Sequence, residues 1–370
     1  MSRFVFILGA GASAAAKAPL ALDFMDKARS LLRGGALLQQ DKDAFSLVFK
    51  ARDALKAVHA KADLDLGNIE VLFSAFEMAT LFGRLGSLSK EDVEVLPAAM
   101  RRLICRTVEL SMEFPILSNP MHATPTSPYR PKWTTGTFPK LMPPSPYESF
   151  ATLVHKIGKA DWGSVSVITF NYDLGIDLSL YFEDVPFRYG FSQDSTNGVD
   201  LLKLHGSLNW GKCPMCKEVM MLDLRDCLQR LHIKAAGSMK FEVSEDLRLI
   251  QHCGSQLKPE PLIVPPTWNK GTHHSGIGRV WKRAARHLSE AEHIFIIGYS
   301  YPATDEFFRY LYALGTIGDG WLDKVMVFNP DQEAGERIKR LLGPLARDKF
   351  AASTKRFDTA ISHISTLNFS

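Results

Sequence analysis

The apolar positions of this chain change period along its length, and the changes divide it. An unbroken apolar run, Phe4–Leu8, leads into a glycine turn, "GAGAS", at Gly9–Ser13. A short continuous run closed by glycine is the pattern of a strand buried on both faces. From Leu22 to about Met112 the apolar residues recur at helical steps instead: Met25, Ala28 and Leu32, then Phe45, Val48, Phe49 and Leu55. Leu72, Ala75, Phe76 and Ala79 follow a candidate cap at Asn68, and Met100, Leu103, Ile104 and Val108 close the series. Together these predict an all-helical segment of about four helices. From Phe114 to Tyr147 the chain is rich in Pro, Ser and Thr and reads as a long connecting loop.

A strand-then-helix rhythm returns at "SVSVITFNYDLGIDLSLYF", whose apolar strand is Val165–Phe170. "DLLKLHGSLNW", "HIFIIGYSYPATDEFFRYLY" and "KVMVFNPDQEAGERIKRLL" repeat it. Strands alternating with helices predict an α/β fold, a Rossmann-like parallel sheet covered on both faces. In such sheets ligands bind beyond the C-terminal strand ends. Those ends carry Gly9–Gly11, Asn171–Asp173, His205–Gly206, Gly298–Ser300 and Asn329. Their convergence on one edge points to a nucleotide site more strongly than any one of them does.

Composition narrows the picture. At 370 residues the chain exceeds one average domain, and 46% hydrophobic residues supply an ordinary core. A net charge of +4 lacks the basic stripe expected of a nucleic-acid binder. The opening run has no signal-peptide layout, and no apolar stretch reaches the length of a membrane span. Five cysteines in that setting predict a cytoplasmic protein with metal-bound or free thiols rather than disulfides.

Gly9, Gly11 and Ala14 fit the G-x-G-x-x-A turn, in which backbone amides approach a pyrophosphate at a helix N-terminus. A dehydrogenase of that type needs a second strand ending in an acidic residue about 20 positions on. None follows here. Pro19 breaks the first helix, and the helical segment begins.

These strand ends, in this order, resemble the sirtuin family of NAD-consuming enzymes. Gly9, Ala10, Gly11, Ser13 and Pro19 match its first block; "TFNYD" retains Thr169, Asn171 and Asp173 of the second. His205–Gly206 matches the third block, and "GYS" retains Gly298 and Ser300 of the fourth. The resemblance implies a sirtuin-type Rossmann domain over 1–20 and 148–370. It also implies an insert and Pro-rich loop over 21–147 and a small module over 211–258. The departures fall where protein deacylation would be served: Leu20-Ala21-Leu22 after the proline, Phe170 for a glutamine, and "LIVPPTWNK" after the module. The chain looks more like bacterial sirtuin-like NAD hydrolases of phage defence. That likeness implies a regulated homo-oligomer, with a HerA-type ATPase or another defence-system protein as partner.

Cleaving NAD between nicotinamide and ribose needs a held ribose, a stabilised cation and a placed water. The resemblance gives Asn171 the water and ribose, Asp173 the developing cation, and His205 the role of base. Gly9, Ala10, Gly11, Ala12 and Ser13 would hold the pyrophosphate, with Pro19 and Leu20 closing over the cofactor. Thr169, Gly298, Tyr299, Ser300, Asn329 and Pro330 complete that implied NAD site. Taken singly, Asn171 and Asp173 also suit an Asx turn, and His205 a satisfied core histidine. A lysine deacylase and a non-catalytic NAD or ADP-ribose sensor stay open beside the hydrolase. "CPMC" has the C-x-x-C spacing of a zinc knuckle, Cys213 and Cys216. "HCGSQLKP" resembles the second half of the family's zinc module, with Ile250 where its first cysteine belongs. His252 and Cys253, or Cys227 in place of His252, complete a structural zinc site; free thiols are the alternative. Cys105 reads as core.

Overall fold

The computed structural model describes residues 2–58, 64–115, 145–159, 163–191, 198–230, 238–264, 276–302, 305–317 and 321–367. The apolar runs become β1 (Ser2–Leu8), β2 (Gly163–Thr169), β3 (Phe187–Arg188), β4 (Val199–Lys203), β5 (His293–Ile297), β6 (Lys324–Phe328) and β7 (Phe350–Ser353). They form one sheet in the order β7-β6-β5-β1-β2-β4-β3, and every pairing is parallel. Phe4–Leu8 of β1 and Ile294–Ile297 of β5 are no more than 1% exposed, as strands covered on both faces must be. Phe6 meets Phe150 edge-on at 5.3 Å on one face, and the Trp281 indole donates to the Leu204 carbonyl at 3.0 Å from a helix packed on β4.

Helices α1 (Phe24–Arg33), α2 (Gln39–Val58), α3 (Ile69–Phe82) and α4 (Lys90–Ser111) form the helical segment between β1 and β2. Asn68 caps α3 as its side chain accepts from the Glu70 amide. The remaining helices are α5 (Ser145–Lys159), α6 (Gly175–Phe182), α7 (Leu224–Arg230), α8 (Gly278–Glu290), α9 (Glu306–Gly315), α10 (Gln332–Leu341), α11 (Pro344–Arg347) and α12 (Phe357–Ile364). No helix among the described residues is long and apolar enough to cross a membrane.

Two sequence expectations need correction. The glycine turn opens onto no α-helix for Pro19 to break. Ala10–Ala12 and Ala14–Ala16 are single 3-10 turns, and Lys17 stops them in the left-handed region at φ 63°. The Lys27 ammonium donates to the Lys17 and Ala18 carbonyls, and Lys17 pairs with Glu113 at 2.6 Å, so α1 and the end of α4 grip this segment. The loop from Phe114 to Tyr147 is shorter than expected at both ends. Phe114–Pro115 pairs with Ser238–Met239, and α5 already begins at Ser145. Residues 116–144 of that loop lie outside the described residues.

Charge, buried on purpose, ties the parts together. The Arg106 guanidinium reaches Asp41 on α2 at 3.2 Å, Glu109 at 2.6 Å and Glu242 at 2.7 Å. Arg102 binds Asp41 and Glu245, and Glu109 also accepts from the Val243 and Ser244 amides. The helical segment is thereby joined to residues 242–245. At the other edge Asp200 on β4 accepts from Arg188 at 2.6 Å, Arg283 at 2.7 Å and His287 at 2.5 Å. Burial opposes its ionisation, but these donors outweigh burial and hold the carboxyl well below the usual carboxylate range.

Two outcomes follow. Gly11→Ala would set a Cβ 2.7 Å from the Gly298 Cα, backbone against backbone. Urea denaturation should show a loss of about 1–3 kcal/mol, the cost of overpacking. Asp200 has a depressed folded pKa, so its contribution is complete above the ordinary carboxylate value and lost as pH falls below it. Asp200→Asn should therefore be destabilised by about 3–5 kcal/mol near neutrality, with the gap to wild type closing in acid. A gap that holds constant across pH would contradict this account.

Candidate active site

The order of the sheet reverses at β1. The chain first extends to β2, β4 and β3 on one side, then to β5, β6 and β7 on the other. The crevice at such a switch point is where open α/β sheets take ligands. Register brings the tips level: Leu8 lies opposite Thr169 and Ile297, Thr169 opposite Lys203, and Ile297 opposite Phe328. Gly9, Asn171, His205, Gly298 and Asn329 therefore emerge along one edge.

Gly9 and Gly11 are glycines because the tip of β5 lies against them. A Cβ on Gly9 would fall 2.5 Å from the Tyr299 Cα. Gly298 itself sits at φ 64°, in the left-handed region that favours glycine. The Gly9 amide donates to the Ile297 carbonyl, Gly11 to Gly298, Ala12 to Gly9 and Ser13 to Ala10. Four amides of the turn are thus committed inside the protein, which alters the expected pyrophosphate cradle. Ala10 remains on the exposed side, while Ala12 and Ser13 are buried.

Asn171 is fixed by that turn. Its Nδ2 donates to the Gly9 carbonyl at 2.9 Å and to the Ser13 hydroxyl at 2.8 Å. The Ser13 hydroxyl in turn donates to Asp173 Oδ2 at 2.6 Å. Asp173 Oδ1 accepts from the Gly175 amide at 2.9 Å. Burial pushes the Asp173 carboxyl up, against the pull of Lys203 and these hydrogen bonds. Among the described residues no hydrogen bond reaches Asn171 Oδ1. Ser13 and Asp173, expected to touch cofactor and cation, are buried and together hold Asn171. Thr169 acts similarly, donating to the Leu8 carbonyl and accepting from the Asn171 amide.

His205 stands at the tip of β4, 6% exposed. Its carbonyl accepts from the Val264 amide at 2.7 Å, and Gly206 follows at φ 84°. A Cβ on Gly206 would lie 2.1 Å from the Leu262 carbonyl oxygen, so the glycine after His205 is a steric requirement. The imidazole packs edge-on against Phe170 at 5.0 Å, and Phe170 stacks on Tyr299 at 4.3 Å. Asn329 donates to the Tyr299 carbonyl and accepts from the Asp331 amide, which fixes the tip of β6. Ser300 and Pro330 are exposed, as is Leu20, whereas Pro19 is buried.

Sequence reading missed the charge beneath this edge. Lys203, fully buried, donates to the Asp173 carbonyl at 2.5 Å and to Asp177 Oδ2 at 3.0 Å. The Tyr189 hydroxyl donates to Asp177 Oδ1 at 2.5 Å, and Asn209 donates to that hydroxyl at 3.3 Å. A lysine inside "LLKLHG" was the available signal, since an ammonium in a buried strand needs a paired carboxylate.

Two tight hairpins build the small module. Trp210–Lys212 pairs with Val219–Met221, and Gln251–His252 with Ser255–Gln256. Their turns carry Cys213, Cys216 and Cys253, and His252 ends a strand beside them; the four ligand atoms all lie within 4.8 Å of one another. Cys216 Sγ and Cys253 Sγ are each 3.4 Å from His252 Nδ1. Tetrahedral zinc separates its ligands by about 3.5–3.8 Å, so this donor set fits the ion. His252 Nε2 faces Glu218 at 3.8 Å, the carboxylate partner a ligating imidazole commonly has. Cys227 lies on α7, buried and outside the cluster, and Cys105 is buried in α4. Metal analysis should find about one zinc per chain. Cys216→Ser should lose it and Cys227→Ser should keep it; loss in both would remove His252 from the ligand set.

No family model matches the chain, and no curated protein matches it. Solved structures that match it include Sir2Tm bound to a propionylated peptide, 12% identical, covering 98% of this chain and 91% of that one at a TM-score of 0.39. A Sir2 homologue–NAD complex is 15% identical, covering 98% of this chain and 89% of that one at 0.39. A Sir2–p53 peptide–NAD+ structure is 13% identical, covering 98% and 91% at 0.39. What this chain is similar to, at that level, is a set of Sir2 structures.

Proposed function

We propose that this chain binds NAD at the sheet's switch point and hydrolyses its nicotinamide–ribose bond. NAD+ and water give nicotinamide, ADP-ribose and a proton. The C1′–N bond breaks with its electron pair leaving on nicotinamide, and a water oxygen forms the new bond to C1′. The pyridinium leaving group is already cationic and needs no general acid. The observation that carries the reading is Asn171, whose amide hydrogens are both held while Oδ1 is left for a water or a ribose hydroxyl. His205, next to the ring of Phe170, takes the proton. Asp173 acts at one remove, by orienting Ser13 and through it Asn171.

The turn at Gly9–Ser13 and the tips Gly298–Ser300 and Asn329–Pro330 line the cofactor in this reading, with Ala10 and Leu20 on the open side. Phe170 and the Leu20-Ala21-Leu22 segment favour hydrolysis over deacylation, because both replace polar residues of the deacylase pattern with apolar ones. Residues 265–270 of "LIVPPTWNK" lie outside the described residues. The four thiol and imidazole groups of the module hold a structural zinc that takes no part in the chemistry. A regulated, NAD-depleting effector of phage defence, working in the cytoplasm beside a HerA-type ATPase or a similar partner, is the setting the family resemblance suggests. A homo-oligomer accords with the apolar stripe of Phe307, Tyr310 and Leu314 along α9, exposed by 37–67%.

The test incubates purified protein with NAD and follows nicotinamide release, with and without an acyl-lysine peptide. Release without peptide is expected. Asn171→Ala and His205→Ala should each lower it by about 10²–10⁴, the usual worth of positioned acid–base groups. Release that depends on peptide would mark a deacylase. Tight NAD or ADP-ribose binding with no release, in the presence of candidate partners, would mark a sensor.

A further inference from the structure

Asp305 precedes α9, where an aspartate normally turns its carboxylate back to cap the helix. It does not cap here: the Phe308 amide bonds the Asp305 backbone carbonyl, and the side chain makes no cap hydrogen bond. The carboxylate instead enters the core, 5% exposed. Its Oδ2 accepts from the Tyr299 hydroxyl at 2.9 Å, and its Oδ1 faces His205 Nε2 at 3.6 Å. Phe170, Tyr299 and Phe308 wall this pair, with Phe308 edge-on to both other rings at 5.2–5.3 Å. Tyr172 covers the imidazole at 6.2 Å, its hydroxyl committed to the Val264 carbonyl.

We propose that Asp305 is the positioning residue of His205: it holds the imidazole at Nε2 and stabilises the imidazolium formed when His205 accepts a proton. This rests on the reading of His205 as base. The geometry argues for it in two ways. Both side chains are more than nine-tenths buried, so an ion pair there is screened less than at the surface. The carboxylate has also given up its local structural use for a place beside the imidazole. A carboxylate at one ring nitrogen fixes the tautomer and makes the other nitrogen the stronger base. In the hydrolysis the attacking water surrenders its proton to His205, Asp305 remains ionised throughout, and the proton leaves to solvent as ADP-ribose departs. Asp305, the Tyr299 hydroxyl bound to it and Tyr172 face His205, and the Glu70 carboxylate acts on both tyrosines.

The experiment is an NMR titration of the His205 imidazole, assigned by His205→Gln, in the whole protein, with the pH profile of kcat/KM beside it. In the wild type the midpoint should lie above the ordinary value of about 6.5, in spite of burial. Asp305→Asn keeps an acceptor for Tyr299 but removes the charge; it should lower the midpoint by about one unit or more and move the acid limb of the profile with it. Its kcat should fall about tenfold or more with KM little changed, and Asp305→Glu should restore part of both. A wild-type midpoint at or below the ordinary value overturns the proposal without any variant. So does an Asp305→Asn midpoint equal to wild type, or equal losses in the Asn and Glu variants. The titration needs no turnover. A protein that releases no nicotinamide yet shows the raised midpoint refutes the hydrolase and not the pair.

Discussion

Gly9 and Gly11 meet the tip of β5 at Gly298 and Tyr299 more closely than any side chain permits, and the functional edge depends on that contact. It draws β1 and β5 together at the point where the sheet changes direction. With Cβ atoms in the way the two tips would separate. The Gly9 carbonyl would then no longer sit where Asn171 finds it. The glycines thus serve packing, a use that the turn does not suggest when read as a motif.

From that contact the order of dependence runs outward. Asn171 is held by the Gly9 carbonyl and Ser13, Ser13 by Asp173, and Asp173 by the Gly175 amide with Lys203 beneath. The buried Lys203–Asp177 pair contributes little net stability by itself, since desolvation offsets most of the attraction. Its place under Asp173 gives it a geometrical role instead. The same holds on a larger scale for Arg106, which joins the helical segment to residues 242–245 through Asp41, Glu109 and Glu242.

Much of the fold was legible because burial on both faces leaves a plain mark. Phe4–Leu8 and the runs at "HIFII" and "KVMVF" read directly as central strands, and α3 showed both its cap and its stripe. The edges did not. Phe187–Arg188 is too short to carry any period, and Phe350–Ser353, "FAAS", buries none of its residues fully. The site divides in the same way. Residues that turn the chain, such as Gly9, Gly206 and Gly298, stand out because few residue types do that work. The internal bonds of Ser13, Thr169 and Asp173 were not legible, because only coordinates say which neighbours a polar side chain meets. Asp305 passed unnoticed as an ordinary acidic residue before a helix.

The hydrogen bonds of Asn171 settle its polarity. The Gly9 carbonyl can only accept, so the amide nitrogen must face it, and the side chain cannot rotate to exchange its two ends. Ser13, which gives its proton to Asp173, likewise has only a lone pair to offer Asn171. Donors therefore run one way, from Asn171 through Ser13 to Asp173, and the end of the amide outside that chain, Oδ1, is an acceptor. A molecule hydrogen-bonding to Oδ1 would have to bring a hydrogen of its own. At an acceptor of that kind a carbonyl or phosphate oxygen finds no hydrogen, whereas a hydroxyl or a water can donate one.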